Sequence, residues 1–322
     1  MRRRLLALAL APLLVVGVAA CGEKSAPEAG PAEVDSGQSI DGVSVEGEVG
    51  SVPKVEIDTP LKLEKSTSEL VTEGEGDPVL ADEQALLHLY VANGTTGKKA
   101  AATYDQGQPV NIRMSEDQLF PVVLEAILGK PAGSRVAVAA VPDDAYGKSG
   151  SQLGLGAEDN IVFVVDVMSV APTEVLDGPE GDEVEPPADA PTVVEDEKGT
   201  VTGLDFENAP AKPSGQLEVV TLIEGQGPPA RKASLVTFDY LGQIYGTDKV
   251  FDESYSKEPV TFPLGTGGLI PAWDEGLVGV KRGSRVLIIA PPKYGYGKAG
   301  NPGAGISGND TLAFVVDILG VS

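Results

Sequence analysis

The sequence predicts an α+β protein built from one domain used twice, and three observations predict it. Short β-branched and apolar runs, separated by Pro- and Gly-rich breaks, read as strands. Each half carries a single short helix candidate. Short identities recur in one order at a nearly constant spacing, the signature of a duplicated domain.

The repeats fix the frame. Gly133-Ser134-Arg135-Val136 returns as Gly283-Ser284-Arg285-Val286, and Tyr146-Gly147-Lys148 as Tyr296-Gly297-Lys298, each 150 residues further on. Phe163-Val164-Val165-Asp166 returns as Phe314-Val315-Val316-Asp317 after 151. At the 150 spacing Tyr90 matches Tyr240.

Taken from the N-terminus, residues 1–20 read as a secretion signal. Arg2, Arg3 and Arg4 precede the apolar run Leu5 to Ala20, which contains a proline and falls short of the ~20 residues a membrane span needs. Residues 21–56, rich in Gly, Ser, Pro, Ala and Glu, are expected to be a disordered tether. A first domain is expected over 57–172, then an acidic, Pro-rich linker over 173–199, then a second domain over 200–322. In the second copy, strands are expected from Leu217 to Ile223, Ala233 to Ile244, Arg285 to Ala290 and Leu312 to Val321. Pro271 suits a first helical turn, and Asp274 and Glu275 favour the positive end of the helix dipole. Phe120 to Leu128 takes the helix position of the first copy. The expected architecture is an antiparallel sheet curled around one short helix.

Composition removes several function classes. The 322 residues carry 48 acidic and 24 basic side chains, a formal net charge of −24, which opposes nucleic-acid binding. With one cysteine, Cys21, and one histidine, His88, neither an intrachain disulfide nor a Cys/His metal site is expected. No cofactor is expected. His88 sits in an apolar strand with no nucleophile beside it in sequence and reads as structural.

Two resemblances follow from particular residues. Val18-Ala19-Ala20-Cys21 resembles the lipobox of bacterial lipoproteins. That resemblance implies lipidation of Cys21 and a protein anchored to the extracytoplasmic face of the cell membrane. The second concerns the C-terminal half. Phe238-Asp239-Tyr240-Leu241-Gly242, Val250-Phe251-Asp252-Glu253-Ser254, Leu269-Ile270-Pro271-Ala272-Trp273-Asp274-Glu275-Gly276 and Pro292-Lys293-Tyr294-Gly295-Tyr296-Gly297 stand in order. With Asn309 to Phe314 they resemble the FKBP-type peptidyl-prolyl cis–trans isomerases, over about 214–322. The chain is thus read as two FKBP-like domains.

The resemblance implies an aromatic-lined prolyl pocket. Trp273 would be its floor, and Phe251 and Phe314 its walls. The Tyr296 hydroxyl and the Ile270 amide would hold substrate carbonyls, and Asp252 would pair with Tyr240. Val260, Leu269 and Ile306 complete the binding set. Val260 stands where an aromatic is common in the family, and the segment from Asp252 to Pro259 is one residue short. The implied activity is isomerisation of X–Pro bonds in proline-containing exported polypeptides, with the macrolide ligands of the family as inhibitors. A non-catalytic FKBP-like binding or chaperone lipoprotein remains the second reading. In the first copy the 150 spacing sets Ala101, Ala102 and Val123 against Phe251, Asp252 and Trp273, leaving Tyr90, Tyr146 and Phe163. That copy is expected to be a structural or client-binding module without a working pocket.

Overall fold

The computed structural model describes residues 35–36, 39–146 and 155–322. Residues 1–20 and Cys21 lie outside this set. Among the described residues no helix is long and apolar enough to cross a membrane. The chain divides into two compact units, one ending at Val167 and the other beginning at Met168.

In the first unit β1 (Asp35–Ser36), β4 (Thr67–Thr72), β5 (Gln84–Asn93), β6 (Lys99–Ala102), β7 (Val110–Arg113), β8 (Arg135–Ala140) and β9 (Ile161–Val170) share a sheet in the order β1-β4-β8-β9-β5-β6, with β7 also on β5. β2 (Val43–Glu46) and β3 (Lys54–Ile57) form a separate hairpin, and α1 spans Pro121–Ile127. The second unit repeats the plan. β10 (Gly181–Glu183), β13 (Glu218–Gly225), β17 (Arg285–Ala290), β18 (Leu312–Val321), β14 (Leu235–Ile244) and β15 (Val250–Glu253) lie in that order, with β16 (Val260–Pro263) on β14. β11 (Thr192–Glu195) and β12 (Val201–Asp205) form its hairpin, and α2 spans Pro271–Gly276. Both helices open on a proline, whose missing N–H costs nothing at that position.

The period-two alternation of strands sorts side chains onto two faces. In the second unit Val286, Ile288, Leu312, Phe314, Val316 and Phe238 share one buried cluster with Ala272 and Trp273 of the helix. Leu241, Leu287, Ile289, Ala313 and Val315 face the other way and are buried with Val201 and Leu204 of the hairpin. Both faces are therefore covered, which is why β17 and β18 are apolar almost without interruption.

The hairpins correct two expectations. The tether was expected to stay disordered to residue 56, yet Val43, Val45, Val55 and Ile57 pack onto Ala137, Ala139 and Val162 of the first sheet. Residues 173–199 were expected to be an extended linker. Instead the Leu176, Glu180 and Val184 amides donate to Leu319, Gly283 and Leu222, and β11 lies on the second unit. Charge and proline content averaged over each segment concealed four-residue alternations, Val-Ser-Val-Glu in β2 and Lys-Val-Glu-Ile in β3. The repeated unit therefore starts earlier than the motif spacing suggests, at its hairpin.

An Arg–Asp pair ties each hairpin down. Arg135 and Asp166 are fully buried and joined twice, Nε to Oδ1 at 2.6 Å and Nη2 to Oδ2 at 2.7 Å. Nη1 donates to the Gly47 carbonyl, and Nη2 also lies within hydrogen-bond reach of the carbonyls of Glu48 and Ser51, all at the tip of the β2–β3 hairpin. Gly50 N–H and Tyr104 O–H complete the shell of Asp166. In the second unit Arg285 pairs with Asp317 at 2.7 Å and reaches Glu195 of β11 at 2.6 Å.

Candidate functional site

The candidate site lies in the second unit, between α2 and the inner face of the sheet. Trp273, 5% exposed, meets three aromatic rings edge-on or nearly so: Phe238 at 5.2 Å, Tyr240 at 5.2 Å and Phe314 at 5.7 Å between centroids. Phe251 meets Phe314 at 5.7 Å with planes at 87°. These tilted arrangements set positive ring edges against negative faces. The indole Nε1 is buried and has no hydrogen-bond partner among the described residues. The aromatics converge because Phe238 and Tyr240 are two apart on β14 and share a face, while the α2 turn delivers Trp273 onto it.

Gly242 makes the Phe251–Phe314 wall fit. It stands opposite both Asp252 and Phe314 in register. A Cβ there would come within 2.6 Å of Phe251 Cζ and 2.9 Å of Phe314 Cε1. Only a residue without a side chain leaves room for both rings.

Polar groups are few. Tyr240 O–H donates to Asp252 Oδ2 at 2.6 Å, and burial together with that bond pushes the phenol well above its usual range. Asp252 is itself exposed, on the rim. Tyr296 is 39% exposed, and its hydroxyl has no hydrogen-bond partner among the described residues. The Ile270 amide, at the cap of α2, donates to no acceptor among them either, while the Ile270 carbonyl accepts from Trp273 and Asp274. Asp274 accepts the Gly265 and Gly267 amides, each at 2.7 Å, and so pins the loop leading to Ile270.

Of the residues singled out from the sequence, Tyr240, Phe251, Leu269, Ile270, Trp273, Ile306 and Phe314 join one apolar cluster. Val260 stands opposite Phe238 in register but outside that cluster. Phe238 was missed, although its place two residues before Tyr240 on a strand was a usable signal. Tyr294, packed on the same cluster, was missed as well. An open depression of about 470 Å³, beside Lys232, Asp274 and Val278, has no aromatic lining.

The first unit places different side chains at the corresponding positions, and the strand register corrects the match of Tyr90 with Tyr240. The Asn93 amide donates to Lys98 as Ile244 does to Lys249, and the Leu89 amide to Thr103 as Tyr240 does to Ser254. Val91 pairs with Ala101 as Gly242 pairs with Asp252. The spacing here is 151, so Leu89 takes the place of Tyr240, Val91 of Gly242, Ala100 of Phe251 and Ala101 of Asp252. One additional residue between β6 and β7 then restores the 150 spacing, which sets Val123 against Trp273 and Phe120 against Ile270.

Phe120 lies against Phe163 at 5.6 Å, and Leu89, Val91 and Val123 are buried. The Tyr146 hydroxyl, unlike that of Tyr296, donates into its own unit, to the Gly156 carbonyl at 2.8 Å and to that of Asp159. His88 is bonded to Thr103 at 2.8 Å and stacked on Tyr104 at 4.2 Å.

The model of the family described as FKBP-type peptidyl-prolyl cis–trans isomerase matches residues 79–168 and 227–319, together more than half of the chain. The chain is similar to a protein of Streptomyces anulatus named FK506-binding protein, 36% identical over 111 residues, which are 34% of this chain and 90% of that protein. It is 41% identical over 98 residues to the FKBP-type peptidyl-prolyl cis–trans isomerase FkpA of Escherichia coli K12, covering 30% of this chain and 34% of FkpA. A Saccharomyces cerevisiae protein named peptidyl-prolyl cis–trans isomerase is 35% identical over 131 residues, covering 36% of this chain and 31% of that protein. The match thus spans nearly all of the Streptomyces protein and about a third of each of the other two.

Proposed function

The chain belongs to the FKBP-type peptidyl-prolyl cis–trans isomerase family, and from that premise we propose that the cleft of its second unit catalyses isomerisation of X–Pro bonds in exported polypeptides. The observation that carries this reading is the Trp273 indole flanked by Tyr240 and Phe314, with Phe251 edge-on to Phe314 and an Ile270 amide that has no acceptor among the described residues.

The mechanism needs no nucleophile and no metal ligand set. Rotation about a peptide bond is opposed by about 18–20 kcal/mol of C–N double-bond character. At X–Pro the two isomers differ by only about 0.5–1 kcal/mol, so both are populated while exchange is slow. Acceleration requires tighter binding of the twisted amide than of either planar form. The planar amide is the more polar of the two, because resonance places charge on its oxygen. A water-poor aromatic cleft therefore favours the twisted state. Trp273 supports the proline ring, with Phe251 and Phe314 at its sides. The Tyr296 hydroxyl and the Ile270 N–H donate to flanking carbonyls, fixing the orientation without reorganising during rotation. Asp252 accepts from Tyr240 and holds that ring upright against the indole. Likeness to proteins named FK506-binding supports the cleft as a site for that class of macrolide.

Catalysis belongs to the second unit in this account. In the first, Ala100 and Val91 stand where Phe251 and Gly242 stand in the second, and the Tyr146 hydroxyl is already engaged. The lipobox-like segment supports anchoring through Cys21 at the extracytoplasmic face of the cell membrane. Cys21→Ser should move the protein from the membrane fraction to the soluble fraction, and a variant still sedimenting with membranes would remove the anchor from the account. The enzymatic reading is tested by cis–trans exchange of a short X–Pro peptide with the full chain. Exchange no faster than in buffer would leave the non-catalytic binding reading in its place.

A further inference from the structure

We propose that Lys249 is a positioning residue, tying the loop that carries Ile306 to the strand that carries Phe251 and so setting the width of the prolyl cleft. The inference rests on the assignment of catalysis to the second unit.

The loop from Gly300 to Asp310 is a self-contained structure. Asn301 and Ile306 exchange both backbone hydrogen bonds at 2.9 Å. Asn301 Oδ1 also accepts from the Ala304 amide. Asp310 accepts from the Ser307 amide and hydroxyl, both at 2.7 Å. Glycines close it tightly, since a Cβ on Gly300 would meet the Ile306 carbonyl at 2.4 Å and one on Gly308 the Lys298 carbonyl at 2.2 Å. A unit so braced moves as one piece, and Ile306 at its inner edge, 3% exposed, moves with it into or out of the cleft.

The polar strap from this loop to the β14–β15 hairpin is Lys249. Its ammonium donates to the Gly305 carbonyl at 2.5 Å across 56 residues of sequence. Asp310 lies close enough for the same ammonium to favour its ionised form, a lesser influence than its bonds to Ser307. Gly305 accommodates the strap in two ways. Its φ of +65° closes the turn, and a Cβ there would approach Lys249 Nζ to 2.3 Å. Lys249 immediately precedes β15, one residue before Val250 and two before Phe251. The strap therefore fixes the spacing between two cleft residues, Phe251 and Ile306, without touching the proline itself.

The test uses the full chain and a chromogenic or isotope-labelled X–Pro peptide under saturating and limiting conditions. Lys249→Met keeps the length of the stem and removes the donor. It is expected to lower kcat by about fivefold, as for one lost charge-assisted bond acting on orientation, while KM changes by less than about twofold. Lys249→Arg restores the donor and is expected to recover kcat to within about twofold of the parent. Ile306→Ala removes the group being positioned, so Lys249→Met added to it should cost little more, the non-additivity expected of coupled residues. An active parent with Lys249→Met indistinguishable from it overturns the proposal, and so do full additivity with Ile306→Ala and a failure of Lys249→Arg to rescue. An inactive parent would instead overturn the assignment of catalysis on which the proposal rests.

Discussion

Replacing Arg135 by methionine is expected to destabilise the first unit by about 3–5 kcal/mol, because it strands a buried carboxylate. Arg135 and Asp166 are both at 0% side-chain exposure, so water cannot replace the lost partner. Gly50 N–H and Tyr104 O–H remain on Asp166, but neither carries a charge. Three carbonyls at the tip of the β2–β3 hairpin lose their donor in the same step. The hairpin should loosen first, and amide exchange at its tip should quicken more than in β8 or β9. Denaturant titration of the full chain measures the loss, read from the transition in which the first unit unfolds. The double variant Arg135→Met, Asp166→Leu removes both charges and is expected to recover much of the stability. A loss below about 1 kcal/mol in the single variant would place this pair with ordinary surface ion pairs and remove its role in holding the hairpin.

The largest expected effect on activity is at Phe251. Phe251→Ala is expected to lower kcat/KM for an X–Pro peptide by about 10–100-fold, or about 1.4–2.7 kcal/mol of transition-state stabilisation. The proline ring buries three methylenes at about 0.8 kcal/mol each when fully enclosed, and removing one wall returns part of that surface to water. The same change lets water approach the amide, which favours its planar form. Phe314 also loses its edge-to-face partner. Phe251 is only half-buried, so the fold should tolerate the change, and an unaltered circular dichroism spectrum would separate lost catalysis from lost structure. Undiminished kcat/KM would mean that the proline ring binds elsewhere.

Much of the second unit was legible in its sequence, for identifiable reasons. Arg285 to Ala290 and Leu312 to Val321 are continuous β-branched runs bounded by breakers, and the strands occupy those residues. Pro271 marked the start of α2 because few other positions in a helix admit proline. The hairpins were not legible. Each contributes two or three apolar residues spaced by charges, and their burial depends on a sheet face that local sequence does not reveal. The pairing of Tyr90 with Tyr240 failed for a different reason. Single-residue length differences on either side of α1 shift the spacing between 150 and 151, and the identities that set the 150 frame lie between them, on the far side of the first from β5. A one-residue slip on a strand turns each side chain to the opposite face. Leu89 thus occupies the tyrosine position, and the first unit departs further from an aromatic cleft than its sequence suggested.

The most direct measurement of the central claim compares two full-length variants in X–Pro peptide exchange. One carries Phe251→Ala in the second unit, and the other carries Phe163→Leu in the first, at the position that Phe314 holds in the second. The second variant is expected to keep the parent's rate, while the first falls toward the uncatalysed rate. Equal losses in both variants, or a loss confined to Phe163→Leu, would contradict it.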